Sequence, residues 1–336
     1  LFLNHPECDG EGVVIEPDET LLEVARFRND YPHMKIHAFY HPLSEEHANI
    51  GFIRKFLNDV ALLRHYKRGE SAAEYYLLRV DADTHAVRPD YLENYLRRFE
   101  AHPEVDAFKG RLDWDWNSYL TDPAVLFGTR FYLAIDAYER MMNRDIGGGG
   151  ANFAIRAARY ADAGGYSDDF GLAEDVDLGR KVLKVREGST HFTAIGDAGA
   201  RSRLWTDGRR SIEAVKKGHA PVMQWFNGDT DFGVLDGAVR AKGRNLSSEN
   251  YFSLLEPPNF EARMASMIQQ TLRFFTADDI EKRRLYVDSI LSKFGVEAEV
   301  DQQGTVIISD MSGLKSWLQA FGTHGKRYWD DTIMVR

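Results

Sequence analysis

Tyr75-Tyr76-Leu77-Leu78-Arg79-Val80-Asp81-Ala82-Asp83-Thr84 is the stretch on which the fold turns. It opens as an apolar, β-prone run and stops at two carboxylates one alanine apart. A short hydrophobic run bounded by turn signals reads as a strand buried on both faces. In an extended segment, residues i and i+2 point the same way, so Asp81 and Asp83 are expected to present oxygens to one point. In open α/β sheets the space beyond a strand's carboxyl end is where ligands bind. Two carboxylates there suit a hard divalent cation that holds phosphates. Asp-Ala-Asp-Thr also suits a solvated turn with a helix cap, and a motif this short does not by itself establish a metal site.

The surrounding chain supplies the context. Upstream, Leu1–Asn4 and Met34–Tyr40 read as short strands, and Pro17–Asn29 and Asn49–Arg64 as amphipathic helices. In the second helix Ile50, Ile53, Leu57, Val60, Ala61 and Leu63 recur at helical spacing. Downstream come a helix over Pro89–His102 and a strand over Val105–Gly110. A glycine run, Gly147–Gly150, leads into Ala151–Arg156, with helices near Arg156–Ala163 and from Glu174. This alternation predicts an α/β fold with a mostly parallel sheet flanked by helices. Residues 1–227 form the expected catalytic domain. Residues 228–336 read as a mainly helical C-terminal subdomain, with a hairpin over Glu297–Ser309 turning at Gln303-Gly304.

Charge narrows the partners. The chain of 336 residues carries a formal charge of −10, so a general nucleic-acid surface is not expected. Phosphates must then be held locally by a metal, arginines or helix N-termini. The single cysteine, Cys8, cannot form an internal disulfide and suits a reducing, cytoplasmic setting. No apolar run is long enough to span a bilayer.

Asn49, Gly51 and Arg54 gather at the start of a helix, where backbone N–H groups favour an anion, with Asn58 one turn further on. An N-cap with solvent-facing Arg54 and Asn58 is the plainer reading of the same residues. Glu174-Asp175 likewise suits simple N-terminal helix charge. Trp114 and Trp116, alternating with Asp113 and Asp115, suit core packing with surface acids or an aromatic sugar platform. Arg201, Arg203, Arg209 and Arg210 around Trp205 suit a basic loop over a diphosphate or a solvated charge run.

Taken together and in order, these motifs resemble the family 2 glycosyltransferases of the GT-A fold. The resemblance runs from Asn49-Ile50-Gly51-x-x-Arg54-x-x-x-Asn58 through Asp81-Ala82-Asp83 and Gly149–Arg156 to Ala163-Gly164-Gly165-Tyr166 and Glu174–Arg180. It covers about Asn49 to Arg210 and implies a Rossmann-like GT-A sheet. It further implies that Asp83, with Asp81, holds Mn²⁺ or Mg²⁺ on the diphosphate of a UDP-, GDP- or dTDP-sugar. Asn49, Gly51, Arg54, Asn58 and Asn152 would bind the donor. Asp175 would be the general base for an acceptor hydroxyl, with Glu174 positioning acceptor or base. The implied reaction is an inverting, metal-dependent sugar transfer. Three departures stand beside it. The family's first strand is expected ahead of Leu1, so the base contacts are unassigned. Arg201-Ser202-Arg203-Leu204-Trp205 keeps only Arg and Trp of the processive synthases' motif, which points to non-processive transfer. The histidine that can complete the metal site is not fixed, with His191 and His219 as candidates. A sugar-1-phosphate nucleotidyltransferase and a non-catalytic sugar-binding relative are the competing readings.

Overall fold

A computed structural model describes residues 2–3, 7–9, 11–44, 47–71, 75–81, 84–116, 119, 123–143, 151–168, 174–185, 192–193, 202–206 and 260–332. The chain divides into two compact units, each drawn from three separate segments. The first takes Leu1–Val80, Arg97–Lys109 and Arg144–Thr193; the second takes Asp81–Leu96, Gly110–Asn143 and Ala194–Arg336.

In the first unit, helices α1 (Thr20–Asp30) and α2 (Ile50–Lys67) follow strands β1 (Phe2–Leu3) and β2 (Phe39–Tyr40), which pair in parallel. The quoted stretch is strand β3 (Tyr76–Val80), as its apolar run predicts, but only Leu77 of it is buried and Val80 is exposed, so it is not covered on both faces. In the second unit, β4 (Thr84–Val87) resumes beyond Asp81, and a helix α3 (Tyr91–Ala101) leads to β5 (Ala107–Lys109) in the first unit. Then come β6 (Arg111–Trp114) in the second unit and β7 (Asn152–Arg156) in the first. The four-stranded sheet of the first unit runs β3-β7-β5 and then Phe192–Thr193, called β8.

The mixed α/β class is as expected, but the mostly parallel sheet is not what the described strands form. In the four-stranded sheet both β3 and β5 run antiparallel to β7, and β5 and β8 are its one parallel pair. The reason lies in the Ala151–Arg156 segment. The sequence shows it as a short apolar entry to a helix, whereas four of the five β7 residues are buried. It runs back up the sheet between two other strands, and an inserted strand of opposite direction converts two would-be parallel neighbours into antiparallel pairs.

Under this sheet Leu77, Ala107, Phe153 and Ile155 meet Tyr160 and Tyr166, with Leu178 and Val182 from the helix Glu174–Val185. Arg156 ties the end of central strand β7 to α3 and to the residues before β5. Its guanidinium donates to the carbonyls of Val105 (2.9 Å) and Phe99 (3.1 Å) and lies over the Phe99 ring.

The second unit holds a three-stranded sheet in which β9 (Arg203–Thr206) lies between β4, antiparallel, and β6, parallel. Its core joins helix α4 (Pro123–Asn143) to residues more than a hundred positions later. Ala124, Val125, Leu126, Phe127 and Phe131 are fully buried against Met264, Met267, Ile268, Leu291 and Phe294. Phe127 and Phe131 both meet Phe294 edge-on, at 5.4 and 5.9 Å. The C-terminal residues form the helices Phe260–Thr276, Ile280–Ser289 and Ser312–Thr332 around the expected hairpin, Glu297–Val300 with Val306–Asp310. The first two of these helices are separated at Ala277. That residue takes a left-handed φ of 46°, and the Asp279 side chain caps the next helix by accepting from the Lys282 N–H at 2.9 Å.

Candidate functional site

Asn49 is the N-cap of α2, its side chain accepting from the Phe52 N–H at 2.9 Å. An asparagine there satisfies one of the donors that a helix start leaves open. Gly51 is buried in the first turn. Arg54, one turn in, points to the helix Glu174–Val185 and forms an ion pair with Glu174. Both side chains are shielded, with 12% and 4% of their surface exposed, so the pair sits where screening by water is weak. Asn58 hydrogen-bonds the Tyr160 hydroxyl, which also donates to Asp59 at 3.3 Å. Burial, with the Asp59 charge, pushes that phenol well above its ordinary value, the Asn58 bond acting against them.

Two residues expected to face a donor are therefore tied to the chain itself. Arg54 is joined to the residue expected to position the acceptor or base, and Asn58 to the tyrosine under the Gly164-Gly165 turn. Asp175 follows Glu174, is half-buried and accepts from the Val176 N–H at 2.9 Å. Further along the helix Glu174–Val185, burial raises the Asp177 carboxyl. Bonds from Lys181 (2.9 Å) and Ser167 (2.7 Å) outweigh it and hold the group below its ordinary value.

Asn152 is 3% exposed and opens β7 directly opposite Val80, the last residue of β3. Asp81 is the next residue in the chain and is half-buried. Its carbonyl accepts from the Thr84 N–H at 3.1 Å. Strand β3 ends at Val80, the residue before Asp81. Asp83 lies outside the described residues, as do Gly147–Gly150, His191, His219, Arg201, Arg209 and Arg210. Among the described residues, no three His, Cys, Asp or Glu side chains gather as a metal site. The Asp81 carboxylate is of the oxygen-donor type that Mg²⁺ and Mn²⁺ take.

The second unit also holds groups that the sequence reading placed elsewhere. Asp113 and Asp115, expected as surface acids, are 1% and 5% exposed. Arg130 lies 2.9 Å from the Asp113 carboxylate, Arg203 3.3 Å and Arg111 3.4 Å. Burial pushes the Asp113 carboxyl up, with Arg111 and Arg203 opposing it. Arg203 thus belongs to a packed network and not to a free basic loop. Trp116 is core, as the packing alternative has it. Asp115 lies 2.8 Å from Nδ1 of His85 on β4. His85 went unread in the sequence, where its only signal is its place two residues past Asp83.

Seven of the expected site residues, Asn49, Gly51, Arg54, Asn58, Asn152, Glu174 and Asp175, belong to the first unit; Asp81 opens the second. No protein-family model matches the chain, and no curated protein matches it. No helix among the described residues is long and apolar enough to cross a membrane.

Proposed function

We propose that this chain is a family 2 glycosyltransferase of GT-A type, an inverting, metal-dependent and non-processive enzyme. It moves a sugar from a nucleoside-diphosphate sugar to an acceptor hydroxyl. The observation that carries the reading is the pairing of β3 with β7. It sets the buried amide of Asn152 opposite the residue that precedes Asp81. Val80, the last residue of β3 before the Asp81-Ala82-Asp83 motif, and Asn152 thus lie side by side at the carboxyl end of β3, the end of a strand beyond which α/β folds bind ligands. The ordered series of motifs from Asn49 to Arg180 supports the same conclusion.

In this reading Asp81 and Asp83 hold Mn²⁺ or Mg²⁺, which when bound offsets the charge of the diphosphate. Asn152 hydrogen-bonds sugar hydroxyls. Asp175 takes the proton of the acceptor hydroxyl as its oxygen bonds to the anomeric carbon from the far side, and the bond from that carbon to the diphosphate oxygen breaks. Arg54 keeps Glu174 in place, and with it the backbone that carries Asp175.

The test is incubation of the protein with UDP-, GDP- and dTDP-sugars, with and without Mn²⁺. Metal-dependent release of nucleoside diphosphate supports the reading, and loss of metal-dependent donor binding in Asp83→Ala supports the ligand assignment. Asp175→Asn is expected to lower turnover by about 10²- to 10⁴-fold, the usual contribution of a general base. Unchanged turnover removes Asp175 from that role. Pyrophosphate release from a nucleoside triphosphate and a sugar phosphate would instead identify a nucleotidyltransferase.

A further inference from the structure

In the second unit, a cavity of about 370 Å³ opens where the turn after Thr276 meets the hairpin turn at Gly304. Arg273, Ala277, Asp278, Arg283, Gln303, Gly304 and Thr305 line it, and none of them belongs to the proposed transfer site. Arg283 is its unusual member. The residue is 6% exposed, and its guanidinium donates to the Thr276 hydroxyl at 3.0 Å and to the carbonyls of Ala277 and Gly304. All three acceptors are neutral. Among the described residues, no carboxylate lies within ion-pair distance of it.

A guanidinium has five N–H donors in a planar fork, and three are used here, leaving two. Buried charges are ordinarily paired, because neutral oxygens repay the loss of water only in part. The cavity brings a second guanidinium, that of the exposed Arg273, which likewise has no ion pair among the described residues. The Gln303 amide and the Thr305 hydroxyl add neutral donors. Asp278 is the one acid of the lining and is exposed, so the cavity wall carries a net positive charge inside an acidic protein.

We propose that this cavity binds the phosphate of a small soluble phosphate monoester. Two arginine forks suit the several oxygens of a phosphate, and the volume leaves room for a short organic group beyond it. The site is independent of the transfer chemistry. It makes the C-terminal segment a place where a phosphorylated metabolite can be sensed or held.

Isothermal titration of the full chain with glycerol 3-phosphate and with inorganic phosphate tests this, beside flotation with phosphatidylcholine vesicles carrying phosphatidic acid. Binding of glycerol 3-phosphate is expected, weakened by about tenfold or more in Arg273→Gln, since one charge-assisted bond is worth that much. Arg273 is exposed, so this variant should unfold at the same temperature as the parent. Asp278→Asn should tighten binding by removing the opposing charge. Arg283→Lys, which keeps the charge but loses the fork, should weaken it. No binding of either soluble probe at millimolar concentration overturns the proposal. So does binding that Arg273→Gln leaves unchanged, and so does attachment to the acidic vesicles alone, which would mark a lipid surface instead.

Discussion

Arg54 and Glu174 form a shielded ion pair between α2 and the helix Glu174–Val185. The pair unites a residue from the stretch expected to hold the donor with one expected to serve the acceptor. Removing one partner of such a pair strands a buried charge, which costs about 3–5 kcal/mol. Arg54→Met and Glu174→Gln are each expected to lower stability. Arg54→Met/Glu174→Gln should lose clearly less than the two single losses added together. Urea midpoints of the four proteins check this, and strict additivity would mean that the two side chains do not interact in solution.

Gly165 has a φ of +71°, and a Cβ there would lie 2.7 Å from the Tyr160 hydroxyl. Gly165→Ala therefore meets both the left-handed backbone penalty, about 1–2 kcal/mol, and a collision. Thermal unfolding should show the loss. Gly165→Ala/Tyr160→Phe should recover part of it, because the hydroxyl is the nearest atom struck.

Gly295 and Gly313 pack backbone to backbone, and a Cβ on Gly313 would stand 2.5 Å from the Gly295 carbonyl oxygen. A flexible side chain could move aside, but backbone cannot. Gly313→Ala is expected to cost about 1–3 kcal/mol or more, read as a lower denaturant midpoint. An unchanged midpoint would show that the helix Ser312–Thr332 can shift away freely.

Asp177 has a folded-state carboxyl held below its ordinary value by Lys181 and Ser167 against the effect of burial. A depressed carboxylate contributes stability above its unfolded pKa and loses it as pH falls through the folded one. Asp177→Asn should thus be less stable than the parent above about pH 4, the ordinary aspartate range. The two should converge as the solution is acidified further. Denaturant midpoints measured across that range decide it, and a gap that stays constant down to low pH would remove the carboxylate as its source.

The parts of the fold that were legible in the sequence are the ones with a one-sided environment. The apolar residues of helix α2 recur at helical spacing, although only Gly51 and His65 of that helix are buried, and β3 announces itself by an apolar run with a hard stop. Helix α4 was illegible for the opposite reason. From Ala124 to Phe131 it is buried on nearly all sides, so no polar face remains to mark the helical repeat. Strands β4, β6 and β9 are four residues each, too short for alternation to register. At the candidate site the motifs named Arg54, Asn58, Glu174 and Asp175, but spacing cannot tell a ligand contact from an internal one. Arg54 and Asn58 proved to have partners from the chain's own later helices. Asp113 was misjudged because its three arginine partners lie on three different elements, and only the folded chain brings them to one carboxylate.

The pairing of Phe127 and Phe131 with Phe294 has a consequence for the protein's birth. At about 5–20 residues per second of synthesis, helix α4 leaves the ribosome roughly ten seconds or more before Phe294 does. Through that interval its apolar surface has no native cover. The nascent chain is thus expected to depend on chaperones, and on the pace of its own translation, more heavily than the finished molecule's stability would suggest.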